Sequence, residues 1–263
     1  MKHTTQTRWY FFGAALFLVL PAVGTLAAQT DFNLVGLGSG ATLAGIYTSP
    51  YTAMIGGGPP VDVICDDFAD DTFVPEDWTA YVTSLSSIVS GTADTSVLKW
   101  QPPIASAPTI TETQAYEAAA LLSIDILQNT GLTPVGTSQQ QDYSFALWEL
   151  FDPTDANNQL VSNGDTNDAT YAQIYLNAAL TEVTSSPSAT AADLANYNVT
   201  IYSYDASAGA PTGACGGPCP APQEFITVSM AEPPSAAVFA VYFLFGGGGL
   251  LFLGRRRILR AGN

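Results

Sequence analysis

Apolar positions along this chain change their spacing twice. Between residues 33 and 85 they fall in short runs, "NLVGLG", "AGIYTS", "YTAMI", "VDVIC" and "WTAYVTSL", each bounded by Gly, Pro or Asp clusters. Runs of this length, rich in β-branched and aromatic residues, predict strands. "SPYT" and "GGGPP" supply turns between them, and the Pro-rich stretch 101–108 ends the pattern.

Beyond it the spacing becomes helical. In "TETQAYEAAALLSIDILQNTG" the residues Tyr116, Ala120, Ile124 and Leu127 share a face, and Gly131 is a stop signal. "QQQDYSFALWELFDP" puts Tyr143, Leu147 and Leu150 on one side and is expected to end before Pro153. "DATYAQIYLNAALTEV" stacks Tyr171, Ile174 or Tyr175, and Ala178. Two further strands, "NVTIYSYD" and "QEFITVSM", follow. Early strands, central helices and late strands predict one α+β domain. Its N- and C-terminal strands would form a single sheet or barrel, with the helices grouped in the middle of the chain. No internal repeat is visible.

Longer apolar runs stand at the two ends. Residues 1–28 read as a signal peptide: Lys2 and Arg8 form a basic start, residues 9–20 a short apolar core, and small residues follow at Ala27 and Ala28. At the other end, residues 235–254 would span roughly 30 Å as a helix, enough to cross a bilayer. Arg255, Arg256, Arg257 and Arg260 come next, which keeps that end cytoplasmic and the body outside the membrane. The expected organisation is a signal at 1–28, an extracytoplasmic domain at 29–230 and a tail at 231–263. Within the tail, 235–254 is the transmembrane helix and 255–263 the basic end.

This tail resembles a PEP-CTERM sorting segment. Glu232 and Pro233 match the motif that names the family, while Ala231 stands where it has another proline. The resemblance implies recognition by an exosortase-type membrane enzyme that removes the tail during export. It also implies a transient membrane anchor, delivery to the cell envelope, cell surface or medium, and association with exopolysaccharide in an extracellular matrix.

Charge narrows the function classes. All 23 acidic residues lie between Asp31 and Glu232, where Lys99 is the only base, so the exported part is more acidic than the net −16 of the whole chain. Such a surface repels phosphate backbones, which excludes nucleic acid. The one histidine is His3, inside the signal, so histidine-dependent nucleophilic catalysis and His-ligated metals are excluded from the mature protein. The chain reads as a structural or interaction protein, not an enzyme.

Cys215 and Cys219, in "CGGPC", are spaced for a local disulfide in an oxidising compartment. That leaves Cys65 odd, followed at once by acids in "VICDDFADD". Asp66, Asp67, Asp70 and Asp71 could together hold calcium, which takes hard oxygen ligands from a flexible loop. A solvated acidic face is the plainer reading.

The order "GIYTSPYTAMI", "VICDDF", "WTAYV", "YEAAALL", "YSFALWELFDP" over residues 44–152 resembles the Cys-Gln thioester-forming domains of surface adhesins. The resemblance implies a strand cysteine joined to a glutamine four residues before a helix tryptophan, giving an acyl group that amines can take. Cys65 and Trp148 match, but Ser144 occupies the glutamine position. Gln141 shares a helical face with Ser144, about 4.5 Å away along the axis. Cys65 is therefore expected as a buried strand residue of an exported, non-enzymatic surface protein. The alternatives are a covalent adhesin using Cys65 and Gln141, and a calcium-dependent glycan-binding module. The sorting reading predicts a secreted form that lacks residues 235–263, measurable as the C-terminal mass of the exported protein. Finding only full-length chain in membranes would overturn it.

Overall fold

The computed structural model describes residues 27–38, 41–134, 136–215 and 219–231. The basic and apolar parts of the expected signal peptide, and the expected sorting residues Glu232, Pro233 and Arg255 to Arg257, fall outside them. Among the described residues no helix is long and apolar enough to cross a membrane.

Among the described residues, nine strands and six α-helices build the fold. The strands are β1 (Ala28–Gly36), β2 (Thr42–Leu43), β3 (Ile46–Tyr47), β4 (Tyr51–Ile55), β5 (Pro60–Cys65) and β6 (Glu76–Ser84), then β7 (Tyr197–Tyr204), β8 (Thr212–Gly213) and β9 (Phe225–Met230). Six of them run in the order β1-β4-β5-β9-β7-β6, and β6 pairs back onto β1 from Ala28↔Val82 to Leu34↔Glu76. Every pairing is antiparallel. The sheet is thus a closed barrel, which leaves none of these six strands with a free edge. The C-terminal strands β7 and β9 fill the gap between β5 and β6, so both ends of the domain share one sheet.

Alternation along the strands sends aromatic rings to the barrel interior. Phe32 stacks on Trp78 with ring centres 4.5 Å apart and lies 5.3 Å from Phe225 and 5.4 Å from Tyr202. Tyr51 meets Phe225 edge-on at 5.9 Å. This cluster fills the barrel with side chains, and burying each ring removes on the order of 150–250 Å² from water.

The helices are α1 (Leu85–Val89), α2 (Glu112–Gln128), α3 (Gln139–Phe151), α4 (Pro153–Ser162), α5 (Thr166–Ser185) and α6 (Pro187–Leu194). Helices α2, α3 and α5 pack on one another, and α2 covers β9. Thr111 and Gln114 form a reciprocal cap at the start of α2, as Ser138 and Gln141 do for α3. Ala115, Ala118, Ala119 and Ala120 are fully buried on α2 and let the neighbouring elements approach closely.

Helix α3 ends at Phe151, before Pro153, as expected. Pro153 then opens α4 at its first turn, and Pro187 does the same for α6. There its missing N–H costs nothing and its fixed φ suits the helix. The run "AGIYTS" does not form one strand: the chain folds back between β2 and β3 through Ala44 (φ 51°) and Gly45 (φ 79°). Glycine is tolerated in this left-handed region at no steric cost, and the alanine is the strained member.

Buried carboxyls among the helices set a pH dependence. Asp142 of α3 is fully buried, and neither of its oxygens meets a donor. Burial, and then the charge of nearby Asp168, push it up to about 8. Burial likewise pushes Glu149 up to about 7, although Gln173 and Asn157 oppose the rise. Both groups keep their protons in the fold at pH values where the unfolded chain has lost them, so they favour the fold at acid pH and the benefit is lost as pH rises toward 8. The melting temperature is expected to be several degrees higher at pH 5 than at pH 8. Asp142→Asn is expected to flatten that slope by raising the pH 8 value, as measured by thermal unfolding at both pH values.

Candidate functional site

Strand β5 ends at Cys65, which lies directly opposite Phe225 at the start of β9. Phe225 points into the barrel, so Cys65 on the same face lies at the barrel's mouth. Gln223, two residues before Phe225, falls on that side as well. The Cys65 thiol sits 3.1 Å from Gln223 Oε1 and 3.1 Å from the Asp67 carbonyl oxygen, the two acceptors open to its S–H. The Gln223 Nε2 donates to the main-chain carbonyls of Asp67 at 2.8 Å and Asp70 at 2.6 Å. With both amide hydrogens held by the loop, the amide oxygen is turned toward the sulfur.

The surrounding chain fixes the cysteine as firmly. Its N–H donates to Ser49 Oγ at 3.0 Å, and its carbonyl accepts from Trp148 Nε1 at 3.0 Å. Trp148, on α3, is itself packed against Phe68 and Phe145. Cys65 is fully buried, and burial, then the charges of Asp67 and Asp66, push its thiol well above the ordinary range. The group is a neutral thiol. Gln223 is 8% exposed and is reached through a cleft of about 390 Å³ walled by Tyr47, Tyr51, Phe68, Trp148 and Gln159. The Cys65–Gln223 pair is therefore dry on the sulfur side and open on the amide side.

Behind this pair lies a carboxyl pair. Glu224 is buried and accepts from Tyr116 Oη at 2.7 Å, the Lys99 N–H at 3.0 Å and Ser203 Oγ. Asp66 is equally buried, and neither of its oxygens meets a donor. Burial, then the charges of Glu224 and Asp67, push Asp66 well above the ordinary carboxylate range. Asp66 is the member that carries the proton, because three donors stabilise the charge on Glu224 and none reaches Asp66.

The residues singled out from sequence are distributed differently. Cys65 and Trp148 do meet. Gln141 does not join them: it caps its own helix, accepting from the Ser138 N–H and donating to the Thr42 carbonyl at 2.7 Å. It precedes Trp148 by seven residues, about 10 Å along the helix axis. Ser144 bonds back to the Gln140 carbonyl at 2.8 Å. The four aspartates form no common ring. Asp66 turns to Glu224, Asp67 and Asp70 grip the Lys99 ammonium, and Asp71 is exposed. Cys215 and Cys219 are joined in a disulfide with Cα atoms 5.3 Å apart. Gln223 is the residue that sequence reading passed over as a strand position. Only the β5–β9 register brings it to Cys65.

No protein-family model matches the sequence, and no curated protein matches it either. Among solved structures the fold is similar to the N-terminal thioester domain of fibronectin-binding protein SfbI from Streptococcus pyogenes. That similarity has 12% identity and a TM-score of 0.42, and covers 81% of this chain and 97% of that one. The N-terminal domain of the Streptococcus pyogenes pilus tip adhesin Cpa is also similar, at 10% identity and TM-score 0.40, covering 78% of this chain and 95% of that one. Both are too distant to assign a role to any residue here, so the roles of Cys65 and Gln223 rest on their own contacts.

Replacing Trp148 by Phe keeps a ring in the packing but removes the donor to the Cys65 carbonyl. The expected cost is about 1–2 kcal/mol of unfolding free energy, read as a lower urea midpoint with an unchanged slope.

Proposed function

We propose that this domain forms an internal thioester between Cys65 and Gln223 and uses it to attach covalently to amines, as an exported interaction protein of the cell surface or matrix. The observation that carries this reading is the 3.1 Å approach of Cys65 Sγ to an amide whose nitrogen is held away by two carbonyls. Attack of sulfur on Gln223 Cδ forms the C–S bond, breaks the C–N bond and releases ammonia, which leaves with the thiol's proton. Holding the two groups in contact removes most of the entropic cost of that step. The product carries no charge, so it suits a buried site better than the raised, neutral thiol suits nucleophilic work at large.

The reverse direction gives the function. An amine entering by the cleft meets the acyl carbon from the side that ammonia left, where the Asp67 and Asp70 carbonyls can accept its N–H groups. Its nitrogen bonds to Cδ, the C–S bond breaks, and the proton returns to Cys65. An amide to the target and a free thiol remain. The event happens once per molecule, which makes the domain a covalent binder and not an enzyme. Burial of the sulfur protects the acyl group from water until then.

Delivery to the surface rests on the sequence: the signal at 1–28 and the tail that resembles a PEP-CTERM segment support export and processing by an exosortase-type enzyme. Association with exopolysaccharide would then place the covalent site in the matrix.

The purified domain is expected to weigh one ammonia less than its disulfide-bonded sequence and to gain one methylamine on incubation, releasing one thiol. Cys65→Ala and Gln223→Ala are each expected to abolish both changes, whereas Gln141→Ala keeps them. A wild-type mass that equals the disulfide-bonded sequence and ignores methylamine would overturn the reading.

A further inference from the structure

Lys99 is the only basic residue among those described, and it stands beside the proposed acyl site. Its Nζ is in contact with Oδ2 of both Asp67 and Asp70. These are the same two residues whose main-chain carbonyls hold the Gln223 amide. Side chains grip the lysine and backbone grips the glutamine, so one short loop separates an amine from an acyl group. The lysine side chain is 24% exposed and that of Asp67 is fully buried, with the ammonium 5.2 Å from the centre of the Trp100 ring.

An amine held by the same loop as an activated acyl group is a hazard, because attack by Lys99 would consume the thioester before any target arrived. The nitrogen would bond to Gln223 Cδ, the C–S bond would break, and the lysine's proton would pass to Cys65. No outside reactant is required. An ammonium, however, has no lone pair and cannot make that attack.

Resting on the thioester reading, we propose that Asp67 and Asp70 act as a guard, holding Lys99 as an ammonium so that the domain does not acylate itself. Two carboxylates on one ammonium exceed what an ion pair at the surface needs, and the grip costs the buried Asp67 part of its solvation. Burial disfavours the lysine charge, but Asp67 and Asp70 together outweigh it and hold Lys99 above its ordinary range. Burial also raises the Asp67 carboxyl, against the pull of Lys99. The ion pair is still the form the geometry supports, since both aspartates direct an oxygen at Nζ.

The guard is separable from the site, because replacing the carboxylates by amides leaves the two backbone carbonyls in place. The test uses wild type, Asp67→Asn with Asp70→Asn, and that pair combined with Lys99→Arg, each followed by intact mass, methylamine uptake and alkylation of free thiol. In wild type, one ammonia is lost and methylamine adds. The paired variant is expected to lack one ammonia as well, yet to ignore methylamine and expose an alkylatable Cys65, with Lys99 and Gln223 linked in a peptide digest. Adding Lys99→Arg is expected to restore methylamine uptake. If the paired variant folds poorly, Asp70→Asn alone, at the more exposed carboxylate, is expected to show the same linkage forming more slowly. A variant that takes up methylamine like wild type overturns the guard and leaves the thioester standing. A variant with an unshifted mass also overturns it, since the grip would then be needed to form the bond. An unshifted wild-type mass removes the thioester itself and the guard with it.

Discussion

The short ladder between β5 and β9 is the contact on which everything else depends. It joins strands that lie far apart in the chain through the pairs Ile64↔Ile226 and Cys65↔Phe225. One face of this seam looks into the barrel and carries Phe225 with its aromatic neighbours. The other is covered by α2 and carries Glu224. At its open end the seam sets Cys65 beside Gln223. A slip of one residue would turn every side chain to the opposite face: Cys65 would lose its amide and Glu224 its three donors. The aromatic core on one side and the buried carboxylate on the other hold that register, so the same packing that closes the barrel also builds the site.

Electrostatics in this domain works against the usual surface logic. With so many acids and a single base among the described residues, most carboxylates there have no cation to pair with. Those on the surface are solvated. Those inside are handled in three ways: Glu224 is charged and held by donors, Asp66 and Asp142 keep their protons, and Asp67 is matched to Lys99. Each solution lies within one or two residues of a position that packing requires to be buried. The only basic side chain among the described residues, Lys99, is spent on the loop that holds the Cys65–Gln223 pair.

Much of the fold was legible in the sequence because it rests on local periodicity. The alternation in "YTAMI", "VDVIC" and "WTAYVTSL" marks β4, β5 and β6, and the stripe of Tyr116, Ala120, Ile124 and Leu127 marks α2. The joining of early and late strands followed from their order. Pro153 marked where α3 stops, but a proline that ends one helix can also open the next at its first turn, and α4 behind it was not read. The site was half legible. Cys65 and Trp148 stood out as residue types in a suggestive order. Gln223 did not, because nothing local distinguishes a glutamine at the start of one strand from any other. Its importance comes from a pairing across most of the chain. The aspartate cluster read most plainly as a solvated face, with a shared calcium set as the alternative, but the turn after β5 buries Asp66 and Asp67 and sends neighbouring carboxylates to different places.

The most direct test of the account is to react the purified domain with isotopically labelled methylamine and to locate the label by peptide sequencing in a mass spectrometer. A thioester between Cys65 and Gln223 places the label on Gln223 alone, with the Cys65 thiol freed in equal amount. Label on Gln141, label spread over several glutamines, or no label at all would contradict it.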